Sequence, residues 1–292
     1  MSTIKQKITP LVTKYALLRA LHTVYLVTFR RGRIGIVKDP TFQGWGMVTT
    51  TGTPWQTSES DVTGTHFTEA DMKLRSLVEA KRFQLTQFAH MFKDKDEFSF
   101  LDELRWRHYV VYWSAEYAVR MTSVETTNIV ECGVCDGLTM YFAMSAARRG
   151  AASVEGHLYD AWEGMRADLL SDSEERMTGE YDYLDIETTR ANLVSSGIEN
   201  CLFNKGFIPG IFATKEGPEN LVWLHIDLNS SGPTINAMDH FWGRLANGGV
   251  ILLDDYALVG YDDTKVTVDK WLVGKDALFL HFPTGQGLII KR

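Results

Sequence analysis

The stretch Val130-Glu131-Cys132-Gly133-Val134-Cys135-Asp136-Gly137 decides the fold. A short apolar run meets an acid, two glycines stand four apart, and a helix-like segment follows from Leu138 to Arg149. A strand entering a tight turn and then a crossover helix reads this way at the ligand edge of a doubly wound sheet. Gly133 has no Cβ, so the backbone can turn sharply and let a ligand approach closely. The spacing is not Gly-x-Gly-x-x-Gly, whose third glycine and helix N-terminus cradle a pyrophosphate. A carboxylate guards this turn instead. It would repel a pyrophosphate and attract an ammonium or sulfonium, which favours S-adenosylmethionine over NAD. A plain strand-turn-helix without a ligand has the same local pattern.

Downstream, short apolar runs alternate with helical stretches. Strands are expected at Thr127–Glu131, Val154–Asp160, Asn200–Lys205, Leu221–Asp227, Gly249–Asp254, Ala277–Phe282 and Gly287–Lys291. Between the first five fit a helix at Leu138–Arg149, a segment around Trp162–Leu170, a helix at Tyr183–Ser196 stopped by Gly197, a short turn near Ile208–Thr214, and a helix at Pro233–Ala246. Such alternation implies a parallel sheet. The link Thr284-Gly285-Gln286-Gly287 is too short for a crossover, so the last two strands form an antiparallel hairpin. The expected fold is α/β: a Rossmann-like, seven-stranded class I methyltransferase sheet.

Upstream, residues 1–100 read as a helical N-terminal extension ahead of a catalytic domain at 101–292. Residues 44–64, rich in Gly, Thr and Ser, read as a mobile loop. One helix is expected from Phe67 to Phe92 and a second from Phe98 to Arg120. The apolar segment 15–33, ending in Arg30-Arg31-Gly32-Arg33, suits packing on its own domain or on a second subunit of a homo-oligomer better than contact with an anionic membrane surface.

The chain of 292 residues is 45% hydrophobic and 23% charged, as soluble globular proteins are. A net charge of −7 argues against a nucleic-acid surface. Three cysteines make no disulfide framework, which fits a reducing, cytoplasmic setting. Cys132 and Cys135 sit inside the glycine turn and read as packing residues. No secretory signal is read in Met1 to Pro10, and no apolar run is long enough to span a bilayer.

In an open α/β sheet, ligands sit beyond the carboxyl ends of the strands. The expected strands one, two, four and five end in Glu131, Asp160, Asp227 and the pair Asp254-Asp255. Asp160 can accept hydrogen bonds from ribose hydroxyls; its alternative is a helix cap. Glu131 can hold the ammonium of a methionine moiety; a partner for a lysine or a turn amide is the equal alternative. Gly133, Gly137 and Trp162 join the candidate cofactor pocket, as do Lys205 and Gly206, for which loop packing is the equal alternative. Asp227, Asp254 and Asp255 converge without an evident basic partner, so they would repel one another and invite a hard cation such as Mg²⁺. His225 shares a sheet face with Asp227 and is a candidate base, although a buried structural histidine is the commoner case.

The order Glu-Cys-Gly-Val-x-x-Gly at 131–137, Tyr-Asp-Ala-Trp-Glu-Gly at 159–164, Asn-Lys-Gly-Phe at 204–207, His-Ile-Asp at 225–227 and Gly-Gly-Val-Ile-Leu-Leu-Asp-Asp-Tyr at 248–256 resembles the macrocin O-methyltransferase family. The resemblance spans about residues 100–292 and includes Arg107 in the helix before the first strand. It implies an S-adenosylmethionine-dependent enzyme that methylates a hydroxyl of a sugar or another small polar metabolite. It also implies that Asp227, Asp254 and Asp255 hold Mg²⁺, that Asp227 doubles as general base, and that Glu131, Gly133 and Asp160 contact the cofactor. The family's Asp-x-Asp-Leu-Tyr-Glu after strand four is here Asp227-Leu228-Asn229-Ser230-Ser231-Gly232. Two other readings stay open: a metal-independent methyltransferase in which Asp227 or His225 acts unaided, and a retired fold serving as a binding or assembly module.

Overall fold

A computed structural model describes residues 105–292, apart from 123, 125, 259 and 283. The extension expected over residues 1–100, its loop at 44–64 and the segment 15–33 lie outside the described residues. The helices are α1 (Arg105–Met121), α2 (Leu138–Ala147), α3 (Ile186–Ser195), α4 (Ser231–Trp242) and α5 (Asp262–Leu272). The strands are β1 (Thr127–Cys132), β2 (Val154–Asp160), β3 (Cys201–Lys205), β4 (Leu221–Ile226), β5 (Leu245–Leu253), β6 (Ala277–His281) and β7 (Gly287–Lys291).

They form one seven-stranded sheet in the order β3-β2-β1-β4-β5-β7-β6. The first five strands run parallel; β7 pairs antiparallel with β5 and with β6. The seven strands and the closing hairpin are those expected from the sequence. The order reverses between β1 and β4, which places the switch point, and so the ligand crevice, at their carboxyl ends.

Side chains alternate across the sheet and build a core on each face. One holds Ile129, Leu158, Trp223, Val250 and Leu252 against α1, α2 and α3. The other holds Val130, Tyr159, Leu224, Ile251 and Leu253 against α4 and α5. Helix α2 is buried nearly all round because α1 covers the side that turns away from the sheet. Trp223 is fully buried, and its indole N–H donates to Ser114 Oγ at 2.9 Å, pinning α1 to β4. Burying a side chain of that size contributes about 1.5–3 kcal/mol.

Three local expectations change. The segment around Trp162–Leu170 forms no α-helix; it holds a 3₁₀ turn at Ala167–Leu169, with another at Glu175–Met177. Helix α4 starts two residues earlier than expected and ends at Trp242, because β5 already begins at Leu245. Gly248 lies within β5 and bends it at φ 82°. Helix α5 was not expected: Val266 and Val268 alternate as in a strand. Asp262 and Asp263 in its first turn and the Lys265–Asp269 pair favour the helix, which buries Val268. Among the described residues no helix is long and apolar enough to cross a membrane.

Candidate functional site

Beyond the carboxyl ends of β1, β2 and β4 lies a cavity of about 450 Å³, within the range of small-molecule sites. Its wall includes Glu131, Gly133, Asp160, Gly206, Asp227 and Asp255. The strand ends stay stitched together one step past the strands proper. The Gly133 amide donates to the Tyr159 carbonyl at 2.9 Å, Gly206 to Asp160 at 2.8 Å, Asp227 to Cys132 at 2.8 Å and Asp254 to Ile226 at 3.0 Å. The acids are therefore carried on a continuous hydrogen-bonded edge.

Gly133 adopts φ 81°, and a Cβ there would overlap the Asp227 carbonyl oxygen. The glycine is required by this close approach of the β1 turn to the β4 loop. Asp160 holds the same turn from the other side. Its Oδ2 accepts from the amides of Val134 at 2.6 Å and Cys135 at 3.2 Å, and its Oδ1 from the amide of Trp162 at 2.7 Å. Burial raises its pKa against the pull of those three amides. The oxygens expected to meet a ribose thus serve first as the clamp of two loops.

Glu131 is 1% exposed, and its Oε1 hydrogen-bonds His225 Nδ1 at 3.1 Å. Its Oε2 is buried and makes no hydrogen bond of normal geometry, although the Met140 amide acts on the carboxyl and Glu131 lines the cavity. Burial, then the charges of Asp227 and Asp160, push this carboxyl well above its usual range. His225 pairs in register with Glu131, stacks on Trp223 and is 1% exposed. Burial lowers its pKa to about 4, so the ring is neutral at physiological pH. It lies behind the cavity wall and is not placed to take a proton from a molecule inside.

The acids of β4 and β5 do converge: Asp227, Asp254 and Asp255 each offer an oxygen within 4.8 Å of the others. Contrary to the sequence reading, they have a basic partner. Arg107 of α1 donates from Nε to Asp254 Oδ1 at 2.7 Å, and its Nη2 contacts Asp254 Oδ2 and reaches Asp227 Oδ2 at 3.3 Å. Gln286 Nε2, from the β6–β7 link, donates to the same Asp254 Oδ1 at 3.0 Å. Asp254 is buried behind the wall; Asp227 and Asp255 face the cavity. Burial, then the charge of Asp227, push Asp255 well above the carboxylate range, and a hydrogen bond to Asp227 adds to the rise.

Three further residues were not anticipated. Tyr261 O–H donates to Asn229 Oδ1 at 2.7 Å, and Asn229 Nδ2 donates to Asp227 Oδ1 at 3.5 Å. Tyr181 and Tyr261 both line the cavity, and burial raises both phenols, with Asp227 and Asp255 adding to the rise. Glu174 is 2% exposed and accepts from the amides of Ser171 at 3.0 Å and Ser231 at 2.8 Å and from Ser230 Oγ at 2.9 Å. It caps α4 from outside, since Ser230 makes no side-chain cap of its own. An arginine in an aromatic-rich helix was a legible sign of Arg107. Nothing local in the sequence marks Glu174 or Tyr261.

The remaining candidates fall away from the cavity. Trp162 is 3% exposed and donates from its indole to Thr189 Oγ1 at 3.0 Å, which in turn donates to the Cys135 carbonyl at 2.7 Å. Gly137 is the left-handed cap of α2 and packs on Leu193 and Thr189. Lys205 is exposed and pairs with Glu163 at 3.3 Å. Cys132 is buried and Cys135 lines the cavity; both are free thiols whose pKa values burial pushes well up.

Glu174 gives a testable pH effect. Burial alone would raise its pKa, but the Ser171 and Ser231 amides and the serine hydroxyls outweigh it and leave the carboxyl lowered. Its stabilisation is full above the unfolded value of 4.5 and is lost as pH falls through the folded value. At pH 7, Glu174→Gln is expected to cost about 1–3 kcal/mol in urea melts, because hydrogen bonds to a charged acceptor are weakened. The gap to the parent should close in melts below the folded value.

Residues 130–256 match a family model described as a methyltransferase domain. The chain is similar to the solved O-methyltransferase NovP, with 15% identity over 77% of this chain and 99% of that one, at a TM-score of 0.57. It is also similar to the calicheamicin methyltransferase CalS11, with 14% identity, 77% and 94% coverage and a TM-score of 0.48. A third likeness is to the Podospora anserina methyltransferase PaMTH1, with 13% identity, 79% and 100% coverage and a TM-score of 0.47. No curated protein matches the chain. The fold is that of a class I, Rossmann-like methyltransferase.

Proposed function

We propose that this protein is an S-adenosylmethionine-dependent O-methyltransferase acting on a hydroxyl of a sugar or another small polar metabolite. The observation that carries the reading is the buried Oε2 of Glu131, which makes no hydrogen bond of normal geometry, on the wall of a cavity at the switch point of this fold. An unsatisfied buried carboxyl oxygen costs about 1–3 kcal/mol, and the ammonium of a methionine moiety would relieve it. The methyltransferase-domain match over 130–256 and the likeness to an O-methyltransferase support the same reading, as does the macrocin-type order of motifs.

Bound S-adenosylmethionine supplies an electrophilic methyl group on a sulfonium. The chain must then orient the acceptor, exclude water and remove a proton. Asp227 faces the cavity with Oδ2 held by Arg107 and Oδ1 by Asn229, and we assign it as the base. Tyr181, Tyr261 and Leu258 wall the region beside it where an acceptor would lie.

Magnesium was the second cofactor expected. The donor type suits a hard cation, but the place does not. Arg107 already sits on Asp254 and Asp227, and Asp254 Oδ1 is shared by Arg107 and Gln286. A dication there would face a guanidinium at contact distance. The residues do not fit a bound Mg²⁺. A retired binding module is disfavoured by the same acids, since a scaffold without a ligand has no need of Glu131's unsatisfied oxygen.

The decisive measurement is calorimetry with S-adenosylhomocysteine, followed by methyl transfer to a panel of hydroxyl acceptors. Binding without transfer to any class of hydroxyl would leave the module; no binding at all ends the enzymatic reading. Asp227→Asn is expected to lower the transfer rate about 10²–10⁴-fold while S-adenosylhomocysteine still binds.

A further inference from the structure

We infer that Arg107 and Asn229 are positioning residues that fix Asp227 from both sides, and that the Arg107 guanidinium keeps a divalent cation out of the acid cluster. The inference rests on the methyltransferase reading only for the role of Asp227. Its physical content is independent of that role.

Asp227, which faces the cavity, receives a protein donor on each oxygen: Arg107 Nη2 on Oδ2 and Asn229 Nδ2 on Oδ1. Both donors are themselves held. Arg107 is gripped by Asp254, whose orientation Gln286 sets; Gln286 in turn accepts from Thr284 Oγ1 at 3.0 Å. Asn229 is gripped by the Tyr261 hydroxyl. Two relays, one from α1 and the β6–β7 link and one from the segment after β5, therefore end on one carboxylate. A carboxylate held at both oxygens keeps its direction without a metal.

The identity of residue 229 matters for charge. An aspartate at this position could not donate to Asp227 and would add a negative charge beside it, whereas Asn229 donates and adds none. The guanidinium supplies the positive charge that the cluster needs, and its planar fork satisfies two carboxylates at once. The chain thus carries a resident cation where the sequence invited a foreign one.

Mn²⁺ is the probe, followed by its free electron paramagnetic resonance signal in the presence of S-adenosylhomocysteine. The parent protein and Asn229→Asp, both with Arg107 in place, are expected to leave Mn²⁺ free. The double variant Arg107→Gln with Asn229→Asp, which gains a carboxylate and loses the guanidinium, should bind one Mn²⁺ at least about tenfold more tightly than the parent. Tight, stoichiometric Mn²⁺ binding by the parent that Asp255→Asn removes would overturn the inference. So would tight binding by Asn229→Asp alone, or a double variant that melts normally yet ignores Mn²⁺. If the double variant does not fold, the parent and Asn229→Asp still decide. Calorimetry with S-adenosylhomocysteine on the same samples reports separately on the methyltransferase reading.

Discussion

Replacing Gly133 with alanine is expected to destabilise the fold by about 3 kcal/mol or more and to abolish measurable S-adenosylhomocysteine binding. Two effects combine. At φ 81° an L-residue is strained, and the new Cβ would overlap the Asp227 carbonyl oxygen and lie 2.7 Å from its carbon. That neighbour is backbone, so no side chain can swing aside. Relief requires the β1 turn and the β4 loop to part, which breaks the 2.8 Å bond from the Asp227 amide to the Cys132 carbonyl. Urea melts read the stability, and calorimetry reads the cofactor site. If Gly133→Ala melted within about 1 kcal/mol of the parent, the packing of the two loops would be misassigned.

Asp160→Ala is expected to be nearly as damaging, costing about 3 kcal/mol, because three amides lose a charged, half-buried acceptor at once. Val134 and Cys135 belong to the glycine turn and Trp162 to the next loop, so the two would come loose together. Asp160→Asn separates the contributions. It keeps one acceptor oxygen, and its amide group, wherever it turns, leaves at least one backbone donor unmatched. Its expected cost is about half that of the alanine change, with S-adenosylhomocysteine affinity reduced rather than lost. Equal losses for the two variants would mean that the charge, and not the geometry, holds the turn.

Strand positions were legible because burial writes them plainly. Strands β1, β4 and β5 each carry a buried apolar run, at Ile129-Val130, Leu221–Leu224 and Val250–Leu253, as strands covered on both faces require, and Gly133 and Gly197 mark turns that need a positive φ. The crevice was legible through topology: once the strands are ordered, their last residues must gather at one edge. Helix α5 was hidden because its valines alternate, and its helical state depends on end charges and packing that a pattern of apolar residues does not record. The site was half legible for a related reason. Asp227, Asp254 and Asp255 were found from the strands that carry them. Arg107 arrives on a helix that precedes the sheet, and its contact with Asp254 spans 147 positions. His225 illustrates the converse. Its parity placed it on the correct face, but only the depth of the wall shows that it backs Glu131 and does not face a substrate.

The stitched edge beneath the cavity has a consequence for how such a protein can change its selectivity. Amides of residues 133, 206, 227 and 254 lock five neighbouring strand termini into a single frame. A mutation there shifts the cavity-facing acids together, so that side of the cavity has little freedom to drift. The turns at 161–185 and 255–261 are tied down by side chains such as Glu174 and Tyr261, which can be exchanged one at a time. Retargeting this scaffold to a new acceptor should therefore begin in those turns, with the frame left untouched.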